Sequence, residues 1–151
     1  MDQIDKEILN CLNENARMSL KKIAERCFVS SPAVSARIHR LEEEKIITSY
    51  GIEVDYKKIG FHIKAFISVQ IDPQQKDSFY PFIDSCQNVL ECDCVTGEYA
   101  MLLKVVFPST DELDQFIGLL QKYGKTYTQI VFSTPVRRRG MTYYDKKESE
   151  T

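Results

Sequence analysis

The chain has 151 residues, 43% of them hydrophobic, with a formal net charge of −2. That length allows one ordinary domain or two small ones, and the apolar content supports a packed core and excludes global disorder. No apolar run approaches the ~20 residues of a membrane-crossing helix, and a near-neutral chain that bound nucleic acid would have to concentrate its basic residues locally.

The acidic, periodic start MDQIDKEIL does not read as a signal peptide. Ile4, Ile8 and Leu12 share one helical face, with Asp2 as N-cap and Asp5 in the first turn. Leu20, Ile23, Ala24 and Cys27 follow the i, i+3, i+4, i+7 pattern of a second helix, capped by Ser19. Val34, Ile38 and Leu41 mark a third, capped by Ser30 or Ser31, with Pro32 in the first turn where its missing N–H costs nothing. After Thr48 the period becomes two. Ile52, Val54 and Tyr56 predict a short connecting strand, and "KKIGF" a turn. HIKAFISVQI predicts a strand with Ile63, Ala65, Ile67, Val69 and Ile71 on one face. Phe79, Phe82, Ile83 and Cys86 predict a helix. VLECDCVTG and YAMLLKVVF are two strands meeting at Gly97-Glu98. Ser109 and Glu112 open another helix as a capping box, Gly124 ends it, and TYTQIVFST is the last strand.

The fold class is therefore α+β: an N-terminal winged-type helix-turn-helix joined to a C-terminal ferredoxin-like βαββαβ sandwich. The expected division is a helix-turn-helix unit over 1–50, a connecting strand and hinge over 51–60, the α+β sandwich over 61–140, and a flexible tail over 141–151.

On a wheel at 100° per residue, Val34, Ile38 and Leu41 form the core stripe of the third helix. Pro32, Ser35, Ala36, His39 and Arg40 project opposite, with Arg37 at the edge. Small residues near the helix start and donors further on suit entry into a major groove. With Ser30 and Ser31 at the helix head, these eight residues are the candidate DNA contacts, and Lys21, Lys22, Arg26, Arg37 and Arg40 could contact phosphates. An ordinary solvated helix can show the same residues, and the acids at 42–44 would repel phosphate. Residues 1–60 hold 10 Lys and Arg against 10 Asp and Glu. The helix pattern alone leaves both readings open.

The residues Asp2 and Asp5 as D-x-x-D, ILNCLNENAR, IAERCFVS, VSARIHRLEEEKII, KKIG, VTGEYAMLLKV and TYTQIVFSTP, in this order, resemble the Lrp/AsnC (feast/famine) family of transcription regulators over nearly the whole chain. The resemblance implies that residues 1–50 bind double-stranded DNA sequence-specifically and that residues 61–140 are a ligand-sensing and oligomerisation domain. It implies homodimers formed through the sheets, often assembled into octamers, and a small-molecule effector, commonly an amino acid, bound between dimers near the turn joining the second and third strands. Here that turn is Gly97, Glu98, Tyr99 and Ala100, and Thr126 and Thr128 on the last strand could add hydroxyls. The chain departs from the family pattern in three places. Phe28 and Lys45 stand where the family usually has glycine, and Ala100 stands where it usually has a second acid.

The competing class is an enzyme or ligand-binding protein on the same fold without DNA binding; some relatives of the family modify tetrapyrroles. No nucleophile–base arrangement, phosphate loop or metal spacing points that way, so no catalytic activity, metal or cofactor is expected. The strands also lack the aromatic pattern of an RNA-binding sheet. Cys86, Cys92 and Cys94 read as buried structural thiols, and His62 as structural. Arg137, Arg138 and Arg139 read as a solvated tail or a phosphate contact. Five cysteines without a disulfide framework, and no membrane span, point to the cytoplasm.

Overall fold

The structure, a computed structural model, describes residues 1–143. It divides into two units, residues 1–53 with the segment from Val136 onward, and Val54–Pro135.

The first unit contains α1 (Gln3–Glu14), α2 (Leu20–Cys27) and α3 (Ser31–Glu43). Each begins at a side-chain cap. At α1, Asp5 N–H donates to Asp2 Oδ1 and Asp2 N–H donates to Asp5 Oδ2, both at 2.9 Å, a reciprocal box. Ser19 Oγ accepts from Lys22 N–H, and Ser30 Oγ from Ala33 N–H. Ile8, Cys11, Ile23, Val34 and Leu41 are fully buried and form the centre of this unit's core.

Two helix ends carry strain. Phe28 closes α2 at φ 55°, and Val29 N–H reaches back to Ala24 O. Lys45 follows α3 at φ 54°, with its N–H on Glu42 O and Ile46 N–H on Leu41 O, a Schellman closure. These are the two positions where the sequence lacks the expected glycines, and the backbone is left-handed at both. Phe28 is 95% exposed, so its ring recovers nothing by packing within the chain. A Phe28→Gly variant is therefore expected to be more stable by about 1 kcal/mol, read as a higher midpoint in chemical denaturation.

The second unit contains β1 (Ile63–Ile71), α4 (Lys76–Ser85), β2 (Val89–Cys94), β3 (Met101–Phe107), α5 (Thr110–Leu120) and β4 (Gly124–Ile130). The sheet is antiparallel in the order β2-β3-β1-β4, as the split βαβ plan requires. Ala65, Ile67, Val69, Met101, Leu103 and Val105 share one face and pack against Phe79, Ile83, Leu113, Phe116 and Leu120 of the two helices. Register places Phe66, Leu102 and Tyr127 on the opposite face.

Several expectations need correction. The segment 51–55 forms no strand, because a strand needs a ladder partner and none pairs with it among the described residues. Instead Tyr56–Ile59 makes a 3-10 turn, capped by Asp55 and closed by Gly60 at φ 95°. Residues 44–53 and 136–143 likewise contain no strand, so among the described residues the first unit is three helices without a wing. Gly124 does not end α5, which stops at Leu120; it opens β4 opposite Ile71. A Cβ there would collide with the Gln70 carbonyl oxygen, so only glycine permits this approach of β4 to β1. Residues 136–143 belong with the first unit, because Asn10 and Asn13 of α1 bond to the backbone of Tyr143 and Met141. The rest of the expected tail, 144–151, lies outside the described residues. Cys92 is half-buried and Cys94 exposed, because β2 is an edge strand, and Cys86 is half-buried at the end of α4.

Candidate DNA-binding helix and sensing turn

Of the eight candidate contacts on α3, six lie along or beside one exposed stripe and two, Arg37 and Arg40, are ion-paired to α1. Pro32, Ser35, Ala36 and His39 are exposed and follow one another along a single stripe. Ser30 lies exposed at its head, and Ser31 is half-buried beside it. The stripe is low where the helix begins. His39 contacts Glu43 at 3.3 Å, one turn on, so the acids lie at the far end. The N-terminal half thus offers hydroxyls, free backbone N–H groups and the positive end of the helix dipole.

Arg37 and Arg40 point elsewhere. Arg37 Nη1 lies 2.7 Å from Asp2 Oδ2 and 2.8 Å from Asp5 Oδ1, and Arg40 Nη2 lies 2.6 Å from Asp5 Oδ2. Asp5 is the one polar residue buried in the first unit's core among the described residues, with 1% exposure. Its two oxygens accept from Arg37, Arg40 and the Asp2 N–H, which offsets the cost of its burial. Burial pushes the Asp5 carboxyl up, but the Asp2 capping interaction and the two guanidiniums outweigh it and hold it below the usual range. The Asp5 N–H and Arg37 lower Asp2 to about 2. Without DNA the Arg40 guanidinium, nearly half exposed, pairs with a buried carboxylate and ties α3 to α1. The helical wheel could not show this, because the partner lies on another helix. One signal was available in the sequence. Asp5 stands at i, i+4, i+7 with Leu9 and Leu12, a carboxylate within an apolar stripe, and such a group needs a cation.

The second candidate site lies at one end of the sheet. Val69 pairs with Met101 on one side and Thr126 on the other. The turn before β3 and the start of β4 therefore meet at the same end. Val95 N–H donates to Ala100 O at 2.7 Å and closes the turn, with Gly97 at φ 105°, a conformation that glycine adopts without strain. Glu98 is exposed; Tyr99 and Ala100 are half-buried. Tyr99, Gln121, Gly124, Lys125 and Thr126 line an open depression of about 530 Å³. Tyr99 and Thr126 are thus brought together as expected. Gly97, Glu98, Ala100 and Thr128 do not line that surface, although Thr128 shares a face with Thr126. Gln121 and Lys125 were not anticipated. They enter because the α5–β4 connection is held close by Gly124, a constraint visible only once β1 and β4 are paired.

Among the described residues no group of three His, Cys, Asp or Glu side chains is gathered as a metal site, and no helix is long and apolar enough to cross a membrane.

Comparison with known proteins extends the geometry. Residues 1–42 match the AsnC-type helix-turn-helix domain, and residues 64–141 match the Lrp/AsnC ligand-binding domain. The chain is 36% identical to the HTH-type transcriptional regulator LrpA of Bacillus subtilis, over 87% of this chain and 97% of that protein. The structure of LrpC from B. subtilis superposes with a TM-score of 0.86 at 28% identity, covering 91% of this chain and 99% of that one. A feast or famine regulatory protein from M. tuberculosis, solved in complex with L-methionine, superposes with a TM-score of 0.87 at 25% identity, covering 94% of this chain and 99% of that one. The two matched domains follow one another over most of the chain, in the order of the three-helix unit and the split βαβ sheet, and the chain belongs to the Lrp/AsnC family of helix-turn-helix transcriptional regulators.

Proposed function

We propose that this regulator reads duplex DNA through Ser30, Ser31, Pro32, Ser35, Ala36 and His39. Arg37 and Arg40 act as positioning residues, locked to Asp2 and Asp5. The observation that carries the reading is the exposed low stripe on α3, whose cationic neighbours are turned inward and whose acids lie at the opposite end. Such a helix presents its N-terminal residues to base edges while its long side chains stay clear of the groove. Selection from a random duplex library tests it; a recurring sequence is expected, and an unenriched pool would contradict the reading. The function assigned is regulation in the cytoplasm, not catalysis.

The effector is an amino acid held at the sensing turn, as the methionine complexes of two structural neighbours support. Lys125 at the depression suits the ligand's carboxylate, and Glu98, exposed on the turn next to Tyr99 though not lining the depression, is the acid offered to its ammonium. Ala100 removes the second acid usual in the family, so a desolvated ammonium has one anionic partner fewer. Unmodified α-amino acids are expected to bind weakly. Ala100→Asp is expected to tighten binding about tenfold, or 1.4 kcal/mol, in calorimetry. Submicromolar binding by the natural chain that is indifferent to Glu98→Gln would overturn this assignment. The effector site lies between dimers assembled through the sheet face that carries Phe66, Leu102 and Tyr127.

A further inference from the structure

Charge bookkeeping in the first unit leaves a deficit. Residues 1–53 carry eight Lys and Arg against nine Asp and Glu. Three of those cations are already engaged: Arg26 with Glu7 and Glu14, Arg37 with Asp2 and Asp5, and Arg40 with Asp5 and Glu44. A DNA-binding unit draws its affinity from phosphate neutralisation, and with these pairs set aside residues 1–53 keep five Lys and Arg against four Asp and Glu, close to neutral. The segment 136–143 changes the balance. It adds Arg137, Arg138 and Arg139, all exposed, and no acid, which turns a deficit of one into an excess of two.

That segment is also anchored. The Asn10 carboxamide bonds both backbone groups of Tyr143, accepting from its N–H at 2.9 Å and donating to its carbonyl at 3.2 Å. Asn13 Nδ2 donates to Met141 O at 3.0 Å. Gly140 lies against the Asn13 side chain, and Tyr143 packs on the core of the helical unit. At no more than about 3.8 Å per residue, the three arginines sit within roughly 11 Å of Gly140. They are therefore held to the DNA-reading unit.

We infer that residues 136–143 form a DNA-contacting strap: Asn10 and Asn13 dock it on α1, and Arg137, Arg138 and Arg139 bind backbone phosphates of the duplex that α3 reads. The strap supplies the sequence-independent part of the affinity that α3, with its arginines committed to Asp5, does not. This rests on the DNA-binding reading above.

The test uses the full chain and a random-sequence duplex of about 40 base pairs, with affinity followed across a series of salt concentrations. Phosphate contacts need no operator, and each contributes about 0.9 to the slope of log affinity against log salt. Replacing Arg137, Arg138 and Arg139 together by Gln is expected to reduce the slope by about 2 to 3 and to weaken binding tenfold or more. Melting temperature and hydrodynamic size should stay as in the natural chain. Asn10→Ala with Asn13→Ala, which keeps the charges but frees the strap, is expected to give a smaller loss. An unchanged slope in the arginine variant overturns the inference. So does a change of oligomeric size with the slope intact, since the arginines would then serve a subunit contact. Full affinity in the asparagine variant overturns the docking. Failure of the natural chain to bind any duplex at low salt would sink the DNA-binding reading itself, and the strap with it.

Discussion

Asp5→Ala is expected to lower the stability of the helical unit by about 3 kcal/mol, the lower end of the range for breaking a buried pair because the Arg40 side chain is nearly half exposed. The substitution strips the partner from Arg37, Arg40 and the Asp2 N–H at once. A three-helix unit of this size buries too little surface to absorb such a loss. In circular dichroism melts, helical signal should be lost well before the β-sheet signal, which depends on the separate core around Ile67, Phe79 and Leu103. The natural chain should show the same weakness in acid. The carboxyls of Asp2 and Asp5 are held below their unfolded values, Asp2 at about 2, so their contribution is complete above the unfolded pKa of roughly 4. It is lost as the pH falls from there towards 2. In Asp5→Ala much of that acid sensitivity should be absent. A variant that melts with the natural chain at neutral pH would show that the Asp5 cluster does not hold α3.

Ala36→Glu should have the largest effect on DNA binding, a loss of a hundredfold or more, equivalent to about 2.7 kcal/mol. Ala36 is exposed in the middle of the low stripe, between Pro32 and His39. A glutamate there adds length where the helix must lie close to base edges, and negative charge where phosphates converge. Because the position is exposed and glutamate is a good helix former, the melting temperature should not fall. Equal affinity in the two proteins would remove this face of α3 from the interface.

Most of the fold was legible because the signals are local and period-based. The caps at Asp2, Ser19 and Ser30 and the alternation through Ala65, Ile67 and Val69 each depend on a few neighbouring residues. What was not legible depends on partners distant in sequence. Ile52 and Val54 alternate like a strand but find no ladder among the described residues. Gly124 reads as a helix stop when only α5 is considered, yet its role is set by the Gln70 carbonyl. Arg40 projects away from the core stripe of its own helix and still serves a carboxylate of α1. Asn10 and Asn13 look like ordinary surface residues until the strap returns to them. Tyr99 and Thr126 were singled out through the family resemblance, but Lys125 joins them at the depression only once β4 is paired with β1.

Guanine N7 lies in the major groove, so its methylation by dimethyl sulfate on a selected duplex reports directly on where α3 sits. With the natural chain bound, guanines in two half-sites about one helical turn apart, some 10 base pairs, should be protected. Ala36→Glu at the same concentration should leave them reactive. Bound DNA with every guanine N7 still reactive would contradict a major-groove reading by α3.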